Sequence, residues 1–198
     1  MKKSTFPRGI GTLLILSLLL SGCGMQSIPT ALNQVEAAWS EVLNQYKRRS
    51  DLIPNLVNIV KGYAAHEKET LQAVVEARAK ATQTQVPTSQ LTPEALNKFS
   101  QAQAGLGSAL ARLMVVVERY PDLKANENFR DLQVQLEGTE NRITVARFRY
   151  IESIKGFNNL VTVPPSSWYN SLFLKHEKKP QFSVENETEI KQVPVVEF

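Results

Sequence analysis

The sequence has few residues that could bind a metal ion or form a disulfide. Its 198 residues include one cysteine and two histidines, which excludes a disulfide framework and leaves few ligands for a transition metal. His66 precedes Glu67, but the zinc-protease pattern needs a second histidine four residues after the first, and Thr70 stands there. We therefore predict neither a metal site nor a cofactor.

Recognisable catalytic and phosphate-binding motifs are also missing. Gly105 and Gly107 flank Leu106, but no strand pattern leads into them and an apolar helical stripe passes through Leu106. The two glycines therefore favour close helix packing over a phosphate loop. No Gly-x-Ser-x-Gly nucleophile elbow occurs either. The sequence predicts a non-enzymatic protein with no identifiable catalytic residue.

The chain lacks the large basic field that nucleic-acid binding requires. Its net charge is +4, but Lys2, Lys3 and Arg8 belong to an N-terminal segment that we predict to be removed, which leaves about +1. The longest basic run is residues 47–49, and acidic residues flank it. We therefore predict no nucleic-acid partner.

The longest apolar run, residues 10–20, has only eleven residues and is too short for a transmembrane helix. Lys2 and Lys3 precede it, as in an export signal. The following Leu20-Ser21-Gly22-Cys23 resembles the lipobox of bacterial lipoproteins. This resemblance implies a signal peptide over residues 1–22, cleavage before Cys23, lipid (palmitate) attachment to Cys23, and a lipidated linker over residues 23–30.

A lipid on Cys23 would place the protein at a membrane of the bacterial cell envelope. Gly24 is not aspartate and so resembles the sorting pattern for the outer membrane, if the host has two membranes. The alternative is a single-pass protein whose N-terminal segment is not cleaved.

Apolar residues recur every three or four positions over four long stretches, which is typical of amphipathic helices. The first stripe begins at Ala31, reaches Tyr63 and is interrupted by Arg49; the pattern resumes and ends near Ala81. Pro54 predicts a kink, or a restart near residues 50–51 that Asp51 would cap. We leave open whether Pro54 kinks or breaks the helix.

Two further stripes follow a polar connection. Thr92 and Pro93 predict the start of a helix that runs to Arg119, and Asn126 can cap the next, which ends before Pro164. Because short connections favour antiparallel neighbours, we predict an all-α protein: an antiparallel up-and-down helical bundle of three to four long helices over residues 31–165. We expect residues 166–198 to form a strap, anchored by Trp168 and Phe173, and then a flexible tail.

Three segments of the chain resemble the LemA family. They are QYKRRSDLIPNLV (45–57) followed by VKGYAAHE (60–67), ERYPDLKAN (118–126) and LEGTENRI (136–143). The resemblance covers roughly residues 35–165 and implies a membrane-attached antiparallel helical bundle without an established catalytic activity. The chain differs from many relatives in having a lipobox instead of an N-terminal transmembrane helix. It also has Tyr150-Ile151 where relatives tend to have Tyr-Asn, although Phe157-Asn158 resembles their later aromatic-Asn pair.

Charged residues near Pro54 form the candidate interaction or structural ion-pair surface. Arg49 falls on the apolar stripe, where an unpaired charge is costly, so we expect it to meet a carboxylate from another helix. Arg48 and Asp51 lie beside it in the sequence. Plausible counterparts on the fourth stretch are Glu140, Arg142 and Arg147.

These observations predict a membrane-anchored helical-bundle lipoprotein that acts as a non-enzymatic envelope scaffold or interaction protein. Its partners would be the membrane, through the lipid on Cys23, and an envelope protein. The alternative is an envelope enzyme or ligand-binding protein whose carboxylate and arginine site lacks a diagnostic motif.

Overall fold

The computed structural model describes residues 26–182. The predicted signal peptide, Cys23, Gly24 and the C-terminal residues 183–198 lie outside the described residues. Six α-helices occupy the described part of the chain, together with one 3₁₀ turn, Thr88–Gln90, and a π-helical turn, Asn170–Leu174. The α-helices are α1 (Ser27–Tyr63), α2 (Lys68–Gln83), α3 (Pro93–Val117), α4 (Pro121–Ala125), α5 (Glu127–Thr162) and α6 (Ser166–Tyr169). Residues 26–182 contain no strand, which confirms the all-α class.

The described residues fall into two compact units. The first unit comprises residues 26–42 and 145–179, and the second comprises residues 43–144 and 180–182. The long helices α1 and α5 each contribute one segment to each unit. No helix within residues 26–182 combines the length and the apolar composition needed to cross a membrane.

The core of the second unit is built from the apolar stripes of five helices. Every predicted stripe position of α3 from Leu96 to Val117 is buried, as are the α1 positions from Tyr46 to Val60. Tyr63, by contrast, is 46% exposed. The main cluster contains Ile53, Leu56, Val60, Ala64, Leu71, Val74, Ala81, Leu106, Ala109, Leu110, Leu113, Val117, Leu123, Phe129, Leu132 and Leu136.

Hydrogen bonds between helices show that neighbours in the second unit run antiparallel. Arg49 of α1 contacts Glu140 of α5, whereas Tyr63, further along α1, accepts a bond from Asn126, just before α5 begins. The same reversal relates α2 to α3. Gln103 in the first half of α3 reaches Ala81 near the end of α2, whereas Tyr120, after α3, reaches Glu67, before α2.

The helix ends follow the capping residues. The backbone N–H of Ala95 donates to Thr92 Oγ1 at 3.1 Å, and that of Phe129 donates to Asn126 Oδ1 at 3.0 Å, which confirms both predicted caps. Helix α3 ends at Val117 rather than Arg119. The short helix α4 was not expected from periodicity, and it begins at Pro121 because proline is favoured in a first helical turn.

Helix α1 begins earlier than predicted, and its course decides the question left open at Pro54. It begins at Ser27 rather than Ala31, so residues 27–30 of the predicted linker are helical and Ile28 is fully buried. It also continues through Pro54 to Tyr63, so there is no restart at residues 50–51. Asp51 is therefore not an N-cap but an exposed residue in the middle of the helix.

The segment after α5 also differs. Trp168 and Phe173, the predicted anchors, are 65% and 69% exposed, whereas Asn170 is buried. The two aromatic side chains therefore face solvent, and the buried side chain of this segment is that of Asn170. The prediction that they anchor a strap is wrong.

Candidate functional site

A chain of polar side chains passes through the core of the second unit and joins four helices. Arg49 Nη1 of α1 donates to Glu140 Oε1 of α5 at 2.7 Å, and Arg49 Nη2 donates to Gln103 Oε1 of α3 at 2.6 Å. Gln103 Nε2 in turn donates to the carbonyl of Ala81, in the last turn of α2, at 3.3 Å. That carbonyl lies at a helix end, where the backbone supplies no partner. The chain therefore links α5, α1, α3 and α2 in that order.

Because these hydrogen-bonded side chains are largely buried, removing one of them should cost folding free energy. Arg49 is 4% exposed and Gln103 is 6% exposed, while the Glu140 side chain is half exposed. The guanidinium of Arg49 also lies 5.1 Å from the ring centroid of Tyr46, within cation–π range. Buried polar atoms need partners, because an unpaired one keeps its full desolvation cost. The arginine that interrupts the apolar stripe is thus held by groups from three other side chains.

A second contact supplies a hydrogen-bond donor that the backbone lacks because of Pro54. Proline has no N–H, so the carbonyl of Ser50, four residues earlier, loses its helical donor. Arg78 Nε of α2 donates to this carbonyl at 2.8 Å. Ser50 is 6% exposed, so bulk solvent reaches the carbonyl poorly. Arg78 explains how α1 continues through Pro54 although the carbonyl of Ser50 is buried.

The predicted site residues are not all part of this arrangement. The structure brings Arg49 and Glu140 together, but Arg48, Asp51 and Arg142 are exposed. Arg147 belongs to the first unit and is half-buried.

Sequence reasoning missed two residues of the site. Gln103 could have been found as the only polar residue on its stripe of α3. Arg78 could have been sought as the donor that the orphaned carbonyl of Ser50 requires.

A small cavity lies beside the polar chain. Its volume is about 80 Å³, and the polar side chains on its wall are those of Lys47, Ser50, Asp51, Arg78 and Gln103, among others. A cavity of this size has room for a few water molecules or a very small ligand. Within residues 26–182, no three His, Cys, Asp or Glu side chains are grouped as metal ligands would be.

A more exposed polar network joins segments 60–67 and 118–126, two of the segments quoted above. Tyr120 Oη donates to Glu67 Oε1 at 3.0 Å, and Arg119 Nη2 lies 3.0 Å from the same oxygen. The hydrogen bond to Glu67, the desolvation of the phenol and the negative charge of Glu67 raise the pKa of Tyr120 above 10.0. The network fastens the loop before α2 to the loop after α3.

An open groove of about 440 Å³ runs along α1 and α5 of the second unit. Ile59 and Leu132 provide its apolar part, and the polar residues on its wall are Asn55, Asn58, Asn128, Asp131 and Gln135. These five polar residues are all exposed. Their side chains offer both hydrogen-bond donors and acceptors at the surface.

The groove continues into two stripes of exposed residues. On α1, Arg48 and Asp51 precede Asn55 and Asn58 at steps of three and four, so all four share one helix face. On α5, Arg142 lies seven residues after Gln135 and shares its face in the same way. We call this set the polar face: Arg48, Asp51, Asn55, Asn58, Asn128, Asp131, Gln135 and Arg142. Arg48, Asp51 and Arg142 thus share helix faces with the groove residues, and Asp51 also lines the cavity beside the buried polar chain.

Comparison with known proteins agrees with the resemblance of these segments. The model of the LemA family matches residues 38–198. Magnetosome proteins MamQ 1 and MamQ 2 of Paramagnetospirillum magneticum are each 31% identical over 81 residues, which is 41% of this chain and 29% of theirs. Magnetosome protein MamQ of Magnetospirillum gryphiswaldense is 33% identical over 64 residues, 32% of this chain and 24% of the relative. The chain thus spans less than a third of these curated relatives.

Proposed function

The chain belongs to the LemA family, and on this premise we propose that it is a lipid-anchored protein of the bacterial envelope that acts as a non-enzymatic scaffold. The attachment rests on the sequence that ends in Cys23, together with Lys2, Lys3 and the short apolar run. Each buried acyl methylene contributes about 0.8 kcal/mol, so two or three chains on one cysteine hold a protein at a bilayer for long times.

The buried polar chain supports a structural role for Arg49, the charged residue that interrupts the apolar stripe of α1. Arg49 is committed to Glu140 and Gln103, and little of it reaches the surface. A guanidinium held in this way is poorly placed to bind a substrate. We therefore assign Arg49 to fastening the helices and look for function on the exterior of the unit.

The polar face is the surface we propose for the partner, and the groove is the observation that carries this proposal. It is open, about 440 Å³ in volume and walled by amide side chains, with Ile59 and Leu132 as apolar contacts. Amides can pair with both the N–H and the C=O of a peptide backbone. Arg48 and Arg142 balance Asp51 and Asp131, so no single ligand charge is favoured. These features fit a polypeptide segment of another envelope protein better than a small charged metabolite.

Site-specific photo-crosslinking in the host cell tests this surface. A photo-reactive residue is placed at Asn58 on α1 or Gln135 on α5, with Val115, which is 70% exposed on α3, as the matched control. We expect both groove positions to crosslink the same protein and Val115 not to. Arg142→Glu should weaken that crosslink. The proposal is contradicted if the groove positions give no discrete product, or if Val115 gives the same one.

Cell fractionation tests the anchor separately. The variant Cys23→Ala should leave the membrane fraction after washing with salt and carbonate, whereas Ser21→Ala, which keeps the cysteine, should not. Retention of Cys23→Ala after washing would favour an uncleaved N-terminal segment instead.

A second candidate function, binding of a small ligand, rests on the cavity beside Gln103. Lys47 and Arg78 give this cavity two cationic side chains, although Asp51 also lines it. If the cavity binds anions, inorganic phosphate should raise the thermal unfolding midpoint, and Lys47→Ala should abolish the shift. An unchanged midpoint would leave the scaffold as the better account.

A further inference from the structure

Three large apolar side chains project from one short segment of the first unit. Trp168, Leu172 and Phe173 are 65%, 71% and 69% exposed, and we call them the aromatic patch. They lie within six residues of one another. Single exposed apolar residues are ordinary, but such a concentration marks a surface that contacts a partner or a membrane.

The aromatic patch sits on a braced segment. The side chain of Asn170 donates to the carbonyl of His176 at 2.9 Å and accepts from the N–H of His176 at 3.0 Å. Asn158 of α5 makes the same reciprocal pair with Lys179, at 3.0 and 2.9 Å. Tyr169 adds a ring contact to Phe173 at 5.0 Å. These hydrogen bonds hold the backbone that carries the three exposed apolar side chains.

The aromatic patch lies at the end of the first unit where α1 begins. Trp39, near the end of this unit's α1 segment, packs against Tyr150, near the start of its α5 segment, with ring centroids 5.0 Å apart. Both stripes are buried along their length, from Ile28 to Val42 and from Ala146 to Val161. They can cover each other only if the two segments run antiparallel. Ser27 and Thr162 then lie at the same end, and the patch follows directly after Thr162.

We propose that the aromatic patch inserts into the headgroup region of the membrane that holds the lipid on Cys23, as a second point of attachment. The inference rests on the proposed lipid anchor. Ser27 follows Cys23 by four positions, so an extended chain places the start of α1 within about 14 Å of the lipidated cysteine. Tryptophan is favoured at the membrane interface because its ring is apolar and its N–H is polar.

The charges beside the aromatic patch fit an anionic membrane surface. Lys175 and Lys178 are exposed and Lys179 is half-exposed, against a single acid, Glu177. Basic residues next to inserted aromatic side chains add electrostatic attraction to anionic lipids. A bilayer with anionic headgroups therefore matches both the apolar and the charged parts of this surface.

Fluorescence quenching of the acylated full-length protein in anionic phospholipid vesicles tests the insertion. The chain has two tryptophans, and Trp39 is fully buried, so the variant Trp168→Phe isolates the signal of Trp168 by difference. Lipids with bromine near the headgroup end of the acyl chains should remove most of the Trp168 emission. The residual emission of Trp168→Phe should not change.

A matched control uses an exposed aromatic position of the same unit. Phe148 is 63% exposed and lies fourteen residues before Thr162 on α5, about 21 Å along the helix. Tryptophan placed there in the Trp168→Phe background should escape the brominated lipids and remain open to acrylamide in water.

Two results would overturn the insertion. Trp168 could be quenched by acrylamide but not by brominated lipid, which would leave it in water. It could instead be shielded from both quenchers, which would show that protein covers the patch, either residues 183–198 or a second chain. Intact mass of the same sample shows whether Cys23 is acylated. Failure of the insertion is therefore distinguished from failure of the anchor.

Discussion

The second unit contains two polar networks of similar chemistry and different burial. One joins Arg49, Gln103 and Glu140 in the core; the other joins Glu67, Tyr120 and Arg119 near the surface. Each ties together segments far apart in the sequence, with an arginine and a glutamate among its members. The buried network can hold the helices in one register because water has little access to the contact between Arg49 and Gln103. In the more exposed network the side chain of Arg119 is 63% exposed and that of Glu67 is 20% exposed, so water competes with part of it and it should contribute less.

The largest expected effect is that of removing the buried arginine. Arg49→Ala leaves a void and deprives Gln103 Oε1 of its donor, while the half-exposed Glu140 can be hydrated. We expect the free energy of unfolding to fall by about 2–4 kcal/mol in denaturant titrations. Arg48→Ala, at the exposed neighbouring position, should change it by less than about 0.5 kcal/mol. If both variants lost the same free energy of unfolding, burial of Arg49 in its network would not explain its contribution.

The contact beside Pro54 gives the next largest effect. Arg78→Ala leaves the buried carbonyl of Ser50 without a donor and should lower the free energy of unfolding by about 1–3 kcal/mol. In a Pro54→Ala background the N–H of residue 54 can supply that donor, so most of the Arg78→Ala loss should disappear. A loss of the same size in both backgrounds would show that Arg78 stabilises the unit for another reason.

The network of Glu67, Tyr120 and Arg119 should affect how the free energy of unfolding depends on pH, rather than contribute a large stability at neutral pH. The hydrogen bond to Glu67 contributes most to raising the pKa of Tyr120, so folding favours its neutral phenol. This contribution is complete below the unfolded-state pKa, about 10, and is lost as the pH rises through the higher folded-state value. As the pH rises above about 10, wild type should therefore lose more stability than Tyr120→Phe.

The comparison with Tyr120→Phe removes the effect of the other tyrosines. Burial also raises the pKa of Tyr150, but both proteins contain that residue. Parallel pH profiles for the two proteins would mean that the bond to Glu67 is not maintained in solution.

The smallest effect is expected at an ion pair on the surface. Lys124 Nζ lies 2.6 Å from Glu118 Oε2, but the two side chains are 59% and 65% exposed. Lys124→Ala should change the free energy of unfolding by less than about 0.5 kcal/mol, and added salt should reduce even that. A loss comparable to that of Arg49→Ala would show that burial does not set the ranking.

The sequence predicted the buried stripes well because side chains that pack on a core repeat with the period of the helix. Arg49 stood out for the same reason, as a charge at a core position. The sequence left open whether α1 continues through Pro54 or breaks there, because the answer depends on Arg78 reaching one particular carbonyl. That contact exists only once α2 packs against α1.

The segment after α5 was predicted least well. Composition identifies Trp168 and Phe173 as apolar, but it does not say which face of a two-turn segment points inward. The hydrogen bonds of Asn170 settle that direction, and they involve a residue whose type gave no indication of burial. The groove was missed because its walls come from α1 and α5, and their register fixes which polar residues meet.

The lipid on Cys23 is the claim on which both the scaffold and the second membrane contact depend. Intact mass spectrometry of the protein extracted from its host membranes measures it directly. The account predicts a chain that begins at Cys23 and carries the added mass of two or three acyl chains. A mass equal to that of the unmodified 198-residue chain would contradict it and identify residues 1–22 as a retained segment.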